Sequence, residues 1–163
     1  MIKRLNHLLA SLAIGILWLL SLLPLWVHYL ISDMMYLVLC RLFKYRQKVV
    51  RKNLESAFPE KSADDIRQIE RDFYHWFCDY IVETFKMMTI SEKEMRRRMV
   101  FKGTETIDRL VAEGVSCGVM LGHYCNWEWI STLPLAVSDK GICAELYHPI
   151  ENPDFNRLFL YIR

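Results

Sequence analysis

What this chain lacks narrows it first. It has five cysteines, Cys40, Cys78, Cys117, Cys125 and Cys143, but no CxxC pair and no regular spacing. That argues against a disulfide framework or a structural zinc site and reads as scattered reduced thiols in a cytosol-facing protein. His148 and Cys125 find no third ligand at convincing spacing, so no metal is expected. The net charge is only +2, which gives no bulk electrostatic case for a nucleic-acid partner. There is no internal repeat and no low-complexity tract. The largest single absence is local: from Leu5 to Ser32 there is no Asp, Glu, Lys or Arg.

That uncharged run dominates the N-terminal part. With 163 residues, 53% hydrophobic and 25% charged, the composition fits one compact domain joined to a very apolar segment. The stretch LLASLAIGILWLLSLLPLWVHYLI exceeds the ~20 residues that cross a bilayer core. It is too long for a signal-peptide core, and no small-residue cleavage site follows. Residues 1–32 are therefore expected to be a retained membrane anchor. Pro24 marks a kink or the end of the embedded part, and Trp18, Trp26 and Tyr29 are candidate interfacial anchors. Arg41, Lys44, Arg46, Lys48, Arg51 and Lys52 follow directly. Such a cluster is drawn to anionic headgroups by about 1 kcal/mol per residue and favours the cytoplasmic side. Lys3 and Arg4 exert a weaker pull of the same kind at the other end. A segment that dips into the membrane or lies oblique to it is the alternative to full crossing, and the basic cluster also reads as a solvated helix face.

Residues 33–98 read as a helical, basic, membrane-proximal region. The spacing predicts a helix over 44–57 ending before Phe58-Pro59, and a second from a Ser62 cap to about Met88. A short helix is expected at 91–98, carrying Arg96, Arg97 and Arg98. The pattern then changes. Val100-Phe101, Val115 to Leu121 and Ile142 to Tyr147 suit strands. Residues 104–113 (closed by Gly114), 126–136 and 153–163 suit helices. That alternation predicts an α/β domain of parallel βαβ type over 99–163. The sequence stops at Arg163 inside a helical run, which predicts an incomplete, truncated α/β domain.

The most informative segment is Leu121-Gly122-His123-Tyr124-Cys125-Asn126-Trp127-Glu128. It falls where an expected strand gives way to an expected helix, the place where open α/β sheets bind ligands. Gly122 would let the backbone turn and approach a substrate, and Asn126 would cap the helix. On one continuous helix His123 and Glu128 would point roughly 140° apart. They can meet only with His123 in the loop and Glu128 in the first helical turn. Glu128 would then fix one ring nitrogen of His123 and leave the other to take a proton from a hydroxyl, which could attack a thioester. The competing reading is a hydrogen-bonded structural histidine beside an aromatic cluster. Tyr124, Trp127 and Trp129 are likewise either core packing or the lining of an acyl path.

At these residues the chain resembles a known family. GHYCNWEW is similar to the H-x4-E signature of the lysophospholipid acyltransferase superfamily, and more narrowly to the lipid A biosynthesis lauroyl/myristoyl acyltransferases. RQKVVRKNLESAFPEKS resembles that family's basic segment. LYHPIENPDFNRLFLYIR resembles its block of Tyr-x-Pro, Asn-Pro and a distal Arg. With the N-terminal anchor, the resemblance covers nearly the whole chain. It implies transfer of a fatty acyl group from acyl carrier protein, or from coenzyme A, to a hydroxyl of a lipid A precursor at the cytoplasmic face of the bacterial inner membrane. No cofactor is implied. By position His123 is the general base and Glu128 its partner, while Arg163, Asn126, Tyr147 and Asn152 bind substrate. The chain departs from the pattern at His148, where many members have Arg, and at Asn156, where many have Asp. A glycerophospholipid or aminolipid acceptor, and a non-catalytic membrane-anchored module, are the other readings.

Overall fold

The computed structural model describes residues 2–138 and 141–163, with side chains from His7 onward. The expected contribution of the Lys3 and Arg4 side chains lies outside the described residues. The elements in order are α1 (Ile2–Ser21), α2 (Leu25–Tyr36), a π-helical turn (Leu37–Leu42), α3 (Gln47–Ala57), α4 (Ala63–Lys86), α5 (Glu92–Arg98), α6 (Glu105–Ala112), a 3-10 helix (Trp127–Leu135) and α7 (Pro153–Ile162). They group into two compact units, Leu23–Glu83 and Met1–Leu22 with Thr84–Arg163.

Chain-local chemistry explains most boundaries. The uncharged run breaks at Leu22–Pro24, where Pro24 is extended and precedes α2. Two residues in the left-handed region, Lys44 (φ 47°) and Arg46 (φ 50°), turn the backbone into α3. Ser62 opens α4 as a capping box: its hydroxyl accepts from the Asp65 N–H at 3.2 Å, and the Asp65 carboxylate accepts from the Ser62 N–H and Oγ. Ser91 caps α5 by accepting from the Glu94 N–H at 3.2 Å. Gly114, at φ 73°, follows α6 in the left-handed conformation that ends helices. The helices expected near 44–57, 62–88, 91–98, 104–113 and 153–163 are thus present within a few residues.

The Leu23–Glu83 unit is organised around α4. Tyr74 and Cys78 of α4 are buried, and the Tyr74 hydroxyl donates to the Tyr45 carbonyl. Arg51 of α3 donates to the buried Glu70 carboxylate at 2.7 Å. In the other unit, α1 meets α7 through His7 with Asp154 (3.1 Å) and Arg157 with Ser11 (3.0 Å). The Ser21 carbonyl at the end of α1 accepts from Lys86 at 2.6 Å and from the Thr89 hydroxyl. Met95 of α5 is buried, and Arg96 donates to the Leu135 carbonyl of the 3-10 helix.

The α/β expectation is overturned: no strand occurs among the described residues, and no βαβ unit forms. Val100-Phe101, Val115–Leu121 and Ile142–Tyr147 are irregular. A strand persists only when a neighbour takes up its N–H and C=O groups, and none of the three runs has such a neighbour. Their apolar side chains lie open, Met120 at 95% and Ile142 at 100% of full exposure. An apolar run expresses a preference for burial; it does not supply the partner that pairing requires.

Candidate functional site

The segment around His123 is a loop entering a helix. The Tyr124 N–H donates to the Gly122 carbonyl, and the Trp127 N–H to the Cys125 carbonyl, both at 3.0 Å. The sharp turn falls on Cys125, at φ 49°, a conformation costing a non-glycine residue roughly 1–2 kcal/mol. Gly122, expected to supply the turn, is not left-handed, and a Cβ added there would meet nothing within 4 Å. Asn126 opens the 3-10 helix with its carbonyl, which accepts from the Trp129 N–H at 3.2 Å; its side chain makes no cap bond.

His123 therefore stands in the loop and Glu128 in the first helical turn. No hydrogen bond joins them. His123 is exposed, and its ring meets Trp127 edge-on, with centroids 5.0 Å apart. The Glu128 carboxylate is buried and is gripped from the far end of the sequence. Arg163 Nε donates to one carboxylate oxygen at 2.8 Å and a terminal nitrogen to the other at 2.9 Å. This is the bidentate fork in which arginine and carboxylate bind most strongly. The guanidinium carbon also lies 5.7 Å from the Tyr147 ring centroid and 5.4 Å from that of Phe159, within cation–π range.

Three residues expected at the site, Glu128, Tyr147 and Arg163, thus form one cluster. Asn152 stands outside it as the cap of α7, accepting from the Asp154 and Phe155 N–H groups at 3.0 and 3.1 Å, with Pro153 at the first helical position. Asn156 accepts from the Ile150 N–H at 3.0 Å. The exposed His148 ring lies 2.9 Å from the Pro149 carbonyl. Phe159 was not anticipated, although it sits four residues before Arg163 on one helix face, the spacing at which side chains meet. Beside Arg163 a cleft of about 280 Å³ opens, lined by Met87, Ile90, Met95, Leu135 and Ile162 among others. Its aliphatic side chains and the guanidinium suit a ligand with an apolar chain and an anionic or carbonyl group, and Glu92, Ser131 and Thr132 add polar groups to the same wall.

A family model described as bacterial lipid A biosynthesis acyltransferase matches residues 2–163. No curated protein and no solved structure matches the chain. Since the family match takes in every residue after the first, together with the loop, the helix and the arginine just described, the chain belongs to the bacterial lipid A biosynthesis acyltransferase family.

Proposed function

We propose that the chain transfers a fatty acyl group from an acyl carrier protein or coenzyme A thioester to a hydroxyl of a lipid A precursor. His123 is the general base. Its free ring nitrogen takes the hydroxyl proton as the oxygen attacks the thioester carbonyl. The tetrahedral intermediate collapses with cleavage of the C–S bond. The departing thiolate recovers the proton from the imidazolium, leaving an ester and a free thiol. Arg163 holds an anionic group of a substrate at the mouth of the cleft, and Tyr147 flanks it. Asn126 and Asn152 shape the loops on either side.

The observation that carries this reading is the Arg163–Glu128 fork, which ties the C-terminal arginine to the helical turn that follows the His123 loop. Glu128 is the partner of His123 in this proposal as well. A carboxylate has about four acceptor positions, so a fork that uses two leaves capacity for an imidazole N–H. Hydrogen bonds between catalytic groups commonly tighten only when substrate is bound. Residues 1–32 and the basic region 33–98 keep the site at the cytoplasmic face of the inner membrane, where the acceptor lies. Residues 99–163 carry the chemistry.

The test is an assay with acyl carrier protein thioester, and separately with the coenzyme A thioester, against a tetraacylated lipid A precursor. His123→Ala is expected to lower turnover by about 10²–10⁴-fold. Wild-type turnover in that variant would remove the base from the mechanism.

A further inference from the structure

We propose that the helical segment Leu25–Leu42 lies flat in one leaflet of an anionic lipid bilayer, with its Trp26–Leu30–Met34 face in the acyl region, and does not cross the membrane. This rests on the reading that the chain works at a membrane and adds how it sits there. By length and composition alone the segment qualifies to cross: 18 residues, mean hydropathy 1.3. Three observations oppose crossing.

The first is Asp33, exposed and at the middle of the 18-residue segment. Crossing would put its carboxylate at the bilayer centre, the costliest depth for an ionisable group. The second is a polar seam along the opposite side of α2. The Tyr29 hydroxyl donates to Glu83 at 2.9 Å, the Ser32 hydroxyl donates to Asp79 at 2.6 Å, and the Tyr36 ring stacks on His75 with centroids 3.6 Å apart. These pairs ascend α2 while descending α4, so the two helices are antiparallel neighbours. A crossing α2 would carry Asp79 and Glu83 to membrane depth on α4, a helix that also bears Arg67, Glu70, Arg71 and Asp72.

The third is the face that α2 leaves open. Trp26, Leu30 and Met34 recur every four residues and are exposed, at 66%, 54% and 67%, and Leu37 falls within the same stripe, at 53%. Exposed basic residues stand at its C-terminal end: Arg41, Lys44, Arg46 and Lys48. On a helix turning about 100° per residue, Asp33 falls at the edge of this stripe, between Trp26 and Tyr29 and about 60° from the stripe's centre, where a flat helix keeps it at the headgroup level. An apolar stripe with a seam of polar contacts behind it and cations beside it is the pattern of an interfacial helix. The cations are the charge complement of anionic headgroups, and this makes a lipid surface, not a second protein, the occupant.

The experiment uses the full chain with the exposed Cys117, Cys125 and Cys143 replaced by Ser; the buried Cys40 and Cys78 thiols are shielded from labelling. Single cysteines at positions 26, 30, 34 and 38 carry a fluorophore, read for depth with lipid-attached quenchers in phosphatidylethanolamine–phosphatidylglycerol vesicles. A flat helix gives one shared, shallow depth at all four positions. Depth that deepens steadily from 26 to 34 overturns the proposal in favour of crossing. Absence of quenching at every position overturns it in favour of a face covered by a second copy. In flotation, Lys44→Glu with Lys48→Glu, checked for unchanged helicity, is expected to weaken vesicle binding about tenfold or more. Undiminished binding counts against the headgroup contact. Acyl transfer is measured in parallel with the unlabelled wild-type chain in the same vesicles. A crossing profile with activity retained sinks the flat placement and leaves the acyltransferase reading standing; a flat profile without activity does the reverse.

Discussion

Arg163 is held by Glu128 along one edge and by Tyr147 and Phe159 through its π-facing surface, and most of what is specific about the site follows from that. The Glu128 side chain is only 5% exposed, while that of Arg163 retains 26%. Removing one partner of a buried pair costs about 3–5 kcal/mol, and partial exposure of the arginine lowers this to about 2–3 kcal/mol. Glu128→Gln should therefore lower unfolding stability by that amount in urea, whereas Glu128→Leu combined with Arg163→Met should recover much of it, because an apolar pair leaves no stranded charge. If Glu128→Gln unfolds at the wild-type midpoint, the fork contributes nothing to the fold. Both residues were legible as site residues in the sequence, but their pairing was not. They lie 35 positions apart, and no periodicity links them, so each was assigned another partner. The turn was misplaced for a related reason. Glycine permits a left-handed backbone without requiring it, and here Cys125 takes that conformation while Gly122 does not.

Elements whose signals are local were legible. The Ser62 and Ser91 caps, Gly114 after α6 and Pro153 at the start of α7 act through neighbours two to four positions away, and each works as its spacing indicates. α5 adds a charge device of the same range. Hydrogen bonds from Arg97 and then Arg98 hold the Glu94 carboxyl down to about 2. A depressed carboxyl contributes stability above its usual value of 4.5 that is lost as pH falls through about 2. The expected outcome is a wild-type melting temperature that declines over that acid window more than the melting temperature of Glu94→Gln. Parallel curves for the two proteins would show that the α5 ion pairs do not couple to folding. The strands failed because pairing is non-local. Val115–Leu121 and Ile142–Tyr147 carry the residue types of strands, but whether a partner lies alongside is decided elsewhere in the chain. The helix predicted at 126–136 is present as a 3-10 helix, with Pro134 inside it; proline there removes a backbone donor that a regular α-helix would use.

For the molecule as a whole, the interior of the Leu23–Glu83 unit sets an alkaline limit. Burial pushes the Cys78 thiol up to about 11 from its usual 9.0. It pushes the Tyr74 phenol up to about 12 from 10.0. In each case the folded chain keeps a proton that the unfolded chain releases, so stability is full below the ordinary value and is lost as pH rises through the folded one. Melting temperature should fall in two stages, above pH 9 and again above pH 10; Cys78→Ala should shrink the first stage, to which the Cys40 thiol, also pushed up by burial, contributes, and leave the second unchanged. A flat profile from pH 9 to 12 would contradict the burial of both groups. The family and the apolar N-terminus were legible at this scale, because each rests on residues that stand together in the sequence.

The α7 region closes on itself before it meets anything distant. Tyr147 lies against Arg163, sixteen positions on. Between them Ile150 is tied to Asn156, and Asn152 seals the head of the helix. The entropy lost on closing a loop grows with the logarithm of its length, so this hook closes more cheaply than the 35-position link to Glu128. The difference is about 0.7 kcal/mol, and in the unfolded chain it favours the hook that carries the guanidinium over the long connection that brings it the carboxylate.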